Sequence, residues 1–347
     1  MSDVKRALIL GSGFSKAIFP VMPLVGDLSE CLQDIEALRQ EPYASMASEP
    51  ELLLSHLALS QPWRSAAESL SDRALFVQAQ TRLADYIANC EAKAFHAPAP
   101  EWAGTLLRLL HGSRTSVITL NYDTVVERLL LRSFPRGPDS ANPPREYHLY
   151  DLPLTPIWAR AGNALLGARV ETFHLIKLHG SINWFYSGPE GYPGEQVYYR
   201  AVNTDSPSQD HRGRDGASPG IECLCSDKIP LIIPPIVEKS GFYDNKTIRA
   251  LWMAARAAFA DAEEILCVGY SLPATDLTMR LFLQSVARPR RVVIVNTERP
   301  QSPSGQRLVE RYEEAFPGAE VDCDAFMCED AVAKMANYMS DPTQECT

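Results

Sequence analysis

Asn121 and His179 are the residues of this chain whose types and positions best suit chemistry. Asn121 opens the triplet Asn121-Tyr122-Asp123 directly after the apolar run Ser116–Leu120. His179 opens His179-Gly180-Ser181 directly after Leu175–Leu178. An asparagine amide both donates and accepts hydrogen bonds, so Asn121 suits holding a ribose hydroxyl or an attacking water. Histidine titrates near neutrality and suits taking a proton from a hydroxyl or water. Each also has a structural reading: Asn121 and Asp123 as caps of a helix beginning near Thr124, and His179 as a packed strand-end residue. Gly11-Ser12-Gly13-Phe14-Ser15 after Ala7–Leu10, and Gly269-Tyr270-Ser271 after Ile265–Val268, repeat the placement. The first lets backbone amides approach a phosphate or ribose closely, or simply makes a tight strand-to-helix turn. Asn296 ends the run 291–295, where it suits a ribose or adenine edge.

These blocks need a scaffold that brings them together. Ligands of an open parallel sheet bind at the carboxyl ends of its strands, so polar blocks after successive runs imply one shared cleft. The pattern predicts strands over 6–10, 116–120, 174–178, 229–233, 264–268 and 291–295. Helices are expected from Thr124 to about Leu131 and over 247–260, 276–287, 305–316 and 330–339. Met335, Tyr338 and Met339 of the last helix suit either core packing or an interface. Residues 26–111 read as a helical insertion. Asp27 with Glu30 and Ser48 with Glu51 mark two helix starts, and Leu28, Cys31, Ile35 and Leu38 recur at helical spacing. Leu75, Leu83 and Ile87 indicate a third helix, and Trp102, Leu106, Leu109 and Leu110 a fourth. Four prolines make 134–148 a loop, and Gly, Pro, Ser and Asp make 187–228, especially Ser206–Gly220, a mobile surface excursion. The fold class that follows is α/β: a Rossmann-like parallel sheet with helices on both faces and a helical insertion after the first strand, in a single domain over 1–347. His174 lies in the same strand region as His179, and its odd-even offset directs it to the other sheet face.

Composition excludes several classes. An apolar share of 46% supports a full core rather than a disordered chain. A net charge of −10, from 43 acidic and 33 basic residues, argues against direct nucleic-acid binding. The charged start lacks a signal-peptide pattern, and no run has the length of a membrane span, so a cytoplasmic location is expected. Eight scattered cysteines fit a reducing compartment. Cys223 and Cys225 form a lone C-x-C without a second pair at zinc spacing, so no metal site is expected. The dinucleotide fingerprint would want glycine at Lys16 and a short route to the second strand, which excludes a conventional nicotinamide dehydrogenase.

In order and spacing these blocks resemble the sirtuin superfamily, and more closely the sirtuin-like domains of bacterial antiphage defence proteins. Gly11-Ser12-Gly13-Phe14-Ser15 is similar to the family's first nucleotide loop. Thr119-Leu120-Asn121-Tyr122-Asp123 resembles its Thr-Gln-Asn-Ile-Asp segment, and Lys177-Leu178-His179-Gly180-Ser181 its histidine-glycine block. Gly269-Tyr270-Ser271-Leu272 resembles its Gly-Thr-Ser segment, and Ile294-Val295-Asn296 its late asparagine. The resemblance implies NAD as the substrate. It implies that Asn121 positions the nicotinamide ribose and a water, with His179 as base or ribose-hydroxyl partner. Gly11, Ser12, Gly13, Phe14, Ser15, Asp123, Gly269, Ser271 and Asn296 become binding or supporting groups. Two features depart from the protein deacylases: no four-cysteine zinc module is discernible, and Lys16-Ala17-Ile18-Phe19-Pro20 stands where they carry Gly-Ile-Pro-Asp-Phe-Arg. Defence-type relatives share both departures and hydrolyse NAD. The expected function is therefore an NAD glycohydrolase that depletes cellular NAD in antiphage defence, as a homo-oligomer or with a partner such as a HerA-type ATPase. The alternatives are an NAD-dependent deacylase or ADP-ribosyltransferase, and a non-catalytic NAD-binding subunit.

Overall fold

The computed structural model describes residues 4–135, 142–150, 154–156, 170–188, 191–202, 228–323 and 326–340. Strand β1 (Arg6–Leu10) runs into α1 (Ser12–Ile18). Helices α2 (Leu28–Leu32), α3 (Pro50–Ala58), α4 (Ala66–Ala94) and α5 (Glu101–Ser113) precede β2 (Ser116–Thr119) and α6 (Val125–Ser133). β3 (Leu154–Pro156), β4 (His174–Lys177), β5 (Gly180–Tyr186), β6 (Val197–Tyr199) and β7 (Ile229–Ile232) occupy the middle of the chain. α7 (Ser240–Tyr243), α8 (Lys246–Asp261), β8 (Glu264–Val268), α9 (Leu277–Val286), β9 (Arg291–Val295), α10 (Pro303–Ala315), β10 (Glu320–Asp322) and α11 (Ala331–Ser340) follow.

Successive residues of the central strands feed opposite cores, because strand side chains alternate faces. Ala7, Ile9, Ile118, Ile265, Cys267 and Ile294 share one core with α8, α9 and α10. Leu8, Leu10, Val117, Leu266, Val268 and Val295 share the other with α5, α6 and α11. Burial on both faces explains why these strands read as unbroken apolar runs. Met335 is wholly buried in the second core and Tyr338 and Met339 pack against it, so the last helix is a core element.

The sheet is six-stranded, in the order β10-β9-β8-β1-β2-β4, and parallel throughout. Leu10 stands level with Thr119 and Val268, Thr119 with Lys177, and Val268 with Val295. The blocks after these strands therefore leave the sheet along one edge. The chain runs outward from β1 through β2 to β4, then returns to the other side of β1 with β8. The β1/β8 junction is thus a topological switch point, where open α/β sheets form their ligand crevice.

Several expectations are corrected. The run 229–233 does not join the parallel sheet. β7 pairs antiparallel with β5 in a separate four-stranded sheet, β3-β6-β5-β7. That sheet packs on α4, with Trp184, Tyr186 and Leu231 in one core with Phe76, Ala79 and Leu83. Gly180, at φ +76°, makes the pairing possible, because a Cβ there would sit 2.1 Å from the Leu231 carbonyl oxygen. Within 187–228, Val197–Tyr199 is a buried strand rather than surface excursion, since Val197 and Tyr199 join the same core as Phe76 and Leu83. Ser206–Gly220, Cys223 and Cys225 lie outside the described residues.

Local signals in 26–111 also shift. Asp27 does not cap α2: its carboxylate accepts from the Leu24 amide and Lys16 Nζ instead. α2 ends at Leu32, and Leu38 is buried from a separate short turn, Glu36–Arg39. α3 starts at Pro50, while a full capping box, Ser65 with Glu68, opens α4. His174 and His179 are separated along the chain, His174 at the amino end of β4 and His179 past its carboxyl end. His174 is exposed, whereas His179 is buried.

Candidate active site

Two adjoining cavities follow the carboxyl edge of the central sheet. The narrower, about 130 Å³, is lined by Gly11, Ser12, Asn121, Asp123, His179, Gly269 and Ser271. The wider, about 680 Å³, is lined by Ser12, Gly13, Gly269, Ser271 and Asn296. Ser12, Gly269, Ser271, Leu24 and Val25 border both, so the two form one trough across the β1/β8 junction. Phe14 and Ser15 stand apart. Phe14 is a core side chain, while Ser15 is buried under the floor.

Asn121 is oriented by what lies beneath it. Its Nδ2 donates to the Gly11 carbonyl oxygen at 2.9 Å and to Ser15 Oγ at 3.1 Å. A carbonyl only accepts, so this contact fixes which way the amide faces. Ser15 Oγ in turn donates to Asp123 Oδ2 at 2.8 Å. Both amide protons of Asn121 are consumed inside the protein, and Oδ1 is the atom left to accept from a ligand. Asp123 anchors this relay and also takes the Val125 amide at 3.1 Å. Burial, reinforced by Glu91 and opposed by Lys177, pushes its carboxyl up to about 6.

Buried charges hold the Asn121–Asp123 loop from behind. Lys177 Nζ donates to the Asp123 carbonyl and, at 2.9 Å, to Glu127 Oε1, which also accepts from Tyr150. Glu91 of α4 accepts from both the amide and the hydroxyl of Thr124, taking the place of a side-chain cap on α6. Arg128 lies 3.5 Å from the same carboxylate. A buried pair seldom adds net stability, but breaking one leaves a costly lone charge, so the loop is held rigidly.

His179 is 93% buried, its ring stacked 6.4 Å from that of Tyr122. Its Nε2 is buried without a hydrogen-bond partner among the described residues. Burial, with Lys239 adding to it and Asp276 opposing it, pushes the imidazole down to about 3, so it is neutral at physiological pH. Lys239 Nζ donates to Asp276 Oδ1 at 2.9 Å, and the Tyr270 hydroxyl donates to Asp276 Oδ2 at 2.9 Å. Burial opposes the charge on Asp276, but its positive surroundings and these hydrogen bonds hold the carboxyl below the usual carboxylate range.

Three amides of the glycine turn are engaged within the protein. The Gly11, Gly13 and Phe14 amides donate to the carbonyls of Val268, Gly269 and Gly11. What glycine supplies here is close approach of two backbones. Gly269 has φ +61°, and a Cβ on it would lie 2.3 Å from the Phe14 nitrogen. Three residues on, Leu272 also has a positive φ of 44°, a strained value for a branched residue. At the far end, Asn296 Oδ1 accepts from the Glu298 amide, leaving its Nδ2 to donate.

Sequence reasoning missed Lys239, Asp276, Tyr270, Glu91 and Glu127. Asp276 stands at the start of a predicted helix, and it makes no side-chain cap there. Its partner Lys239 is 37 residues away, and Glu91 lies 33 residues from Thr124, so no local spacing announces either contact. Among the described residues, no group of three or more His, Cys, Asp or Glu is placed to hold a metal, and no helix is long and apolar enough to cross a membrane.

No family model and no curated protein matches the chain. Among solved structures it is similar to Sir2 with a p53 peptide and NAD+, at 14% identity over 98% of this chain and 94% of that one, TM-score 0.39. A second is Sir2Tm bound to a propionylated peptide, at 14% identity, 97% and 93% coverage and TM-score 0.39. A third is a mutant Sir2 homologue with 2′-O-acetyl ADP ribose, at 12% identity, 99% and 96% coverage and TM-score 0.41.

Proposed function

We propose that the protein cleaves the nicotinamide–ribose bond of NAD and passes the ribosyl carbon to water, releasing nicotinamide and ADP-ribose. The observation that carries this reading is the pairing of two polar residues that line the narrow cavity. Asn121 presents an acceptor oxygen fixed from below, and His179 presents an unpartnered ring nitrogen. Cleavage passes through an oxocarbenium-like state, and a site for it must hold the ribose, orient water and exclude bulk solvent. Asn121 Oδ1 suits accepting from a ribose hydroxyl or the attacking water. The neutral His179 is a weak resting base and suits a ribose-hydroxyl partner. It still accepts a proton from a water already bonding to the ribosyl carbon, because such an oxygen is far more acidic than an imidazolium. The wider cavity, with Asn296, would take the adenosine half.

The resemblance drawn from the sequence extends this reading to cytoplasmic NAD depletion in antiphage defence, by a homo-oligomer or together with a HerA-type ATPase. The apolar stretch Met22–Val25 with Leu28 and Ile87 along the same cavity favours a second reading, transfer to an acylated lysine whose aliphatic chain would lie there. Incubation with NAD, with chromatographic resolution of nicotinamide and ADP-ribose, separates the two. Peptide-independent release by the wild type, reduced on the order of 10²-fold by Asn121→Ala and by His179→Ala, is the expected result. Release only with an acyl-peptide would replace the first reading with the second, and NAD binding without turnover would leave a binding subunit.

A further inference from the structure

The end of the narrow cavity beyond His179 is built from charge, although this position is nearly dry. Lys239 and Asp276 both line it, 6% and 7% exposed. Asp276 is saturated, with one donor on each oxygen. Lys239 is not: an ammonium has three protons to donate, and Asp276 takes one. Two donors and His179 Nε2 thus stand without protein partners among the described residues. Buried polar groups are normally satisfied, so unfilled ones on residues that line a cavity mark where a small polar molecule belongs. Tyr122 closes the side, tied by its hydroxyl to the Ile233 carbonyl oxygen at 2.7 Å.

Resting on the hydrolase reading, we propose that Lys239, held by Asp276 and Tyr270, and His179 form the subsite for the acceptor water and deny that subsite to an acyl-lysine chain. Lys239 donates to the water oxygen and His179 Nε2 accepts one of its protons. One lone pair of the water is then left to bond the ribosyl carbon. The C1′–N bond breaks with its electron pair on the pyridine nitrogen, the water oxygen bonds C1′, and its proton leaves through His179 to solvent. An aliphatic acyl chain driven into the same place would strip Lys239 and Asp276 of their polar surroundings and return no hydrogen bond.

The test is a partition experiment on the full-length protein with NAD, in buffer containing a fixed concentration of methanol as competing acceptor. Lys239→Met should lower ADP-ribose formation at least tenfold and raise the share of methyl ADP-riboside. The dissociation constant for ADP-ribose should change less than threefold, and a purely structural role would not move the product ratio. Lys239→Met leaves Asp276 unpaired, so Lys239→Met/Asp276→Asn is measured beside it as the variant without a lone buried charge. An unchanged rate and product ratio in a folded variant would overturn the subsite while leaving the hydrolase standing. Wild-type deacylation of an acetyl-lysine peptide in step with nicotinamide release would also overturn the subsite, and would show that NAD is still cleaved. No nicotinamide from the wild type under any of these conditions would overturn the hydrolase reading and the subsite with it.

Discussion

The two ends of the trough are built on different principles. The narrow end is walled by side chains fixed from behind: Asn121 by Ser15 and Gly11, Asp123 by Ser15 and the Val125 amide, and Lys239 by Asp276. The wide end is bordered by Ser12, Gly13 and Gly269 together with side chains such as Lys16, Trp102, Arg311 and Asp330, and the Asn296 side chain is held only by the Glu298 amide of its own turn. Rigid, desolvated groups suit bond breaking, where preorganised dipoles have the largest effect. A larger cavity suits grip, which acts equally on substrate and transition state. Under the proposed hydrolase reading, the contrast would place turnover at one end and affinity at the other.

Gly269→Ala should break both ends together, because Gly269 borders both cavities at positive φ against Phe14. A loss on the order of 4 kcal/mol is expected from strain and overlap combined. Denaturant unfolding measures it, and a folded variant that loses only affinity would show that the junction is not shared. His179 tests how dry the narrow end is. Its folded value of about 3 lies below the ordinary 6.5, so the unfolded chain binds the proton first. The stability from keeping it neutral is present above about 6.5 and lost as pH falls toward 3, by roughly 3–5 kcal/mol at most. His179→Gln should flatten that part of the stability-against-pH curve, and a curve parallel to wild type would mean the imidazole is hydrated.

Asp123 separates the relay from the histidine. Because burial and Glu91 push Asp123 up to about 6, kcat/KM should fall about tenfold per pH unit below that value as the relay's acceptor is protonated. Asp123→Asn should remove this acid limb, whereas a limb that persists would assign it elsewhere. The smallest effect is expected at the far end. Asn296→Ala should raise KM about tenfold with kcat nearly unchanged, the mark of uniform binding. A fall in kcat of that size would abolish the division of labour between the ends.

Much of this was legible in the chain. Runs that are apolar at every position announce strands buried on both faces. Asn121, His179, Gly269 and Asn296 stand where those runs stop, and a parallel sheet carries every such stop to one edge. The second sheet was illegible because β4 and β5 are separated by Leu178 and His179 alone, and nothing local shows that Gly180 turns the chain toward Leu231. Phe14 and Ser15 show the limit within a motif. Adjacent residues in the same loop were assigned alike, yet packing sends one to the core and the other beneath Asn121.

By itself the sequence determined the parallel α/β class, the edge on which polar groups gather and the candidates Asn121 and His179, because strand periodicity and chain order are properties of the chain alone. Only the tertiary structure decided which atoms those candidates present. The Gly11 carbonyl turns Asn121 to offer its oxygen, and burial beside Lys239 keeps His179 neutral. The pairing of Lys239 with Asp276 came from folding as well. Hydrogen-bond direction and desolvation depend on neighbours brought from distant parts of the chain, and no local spacing encodes them.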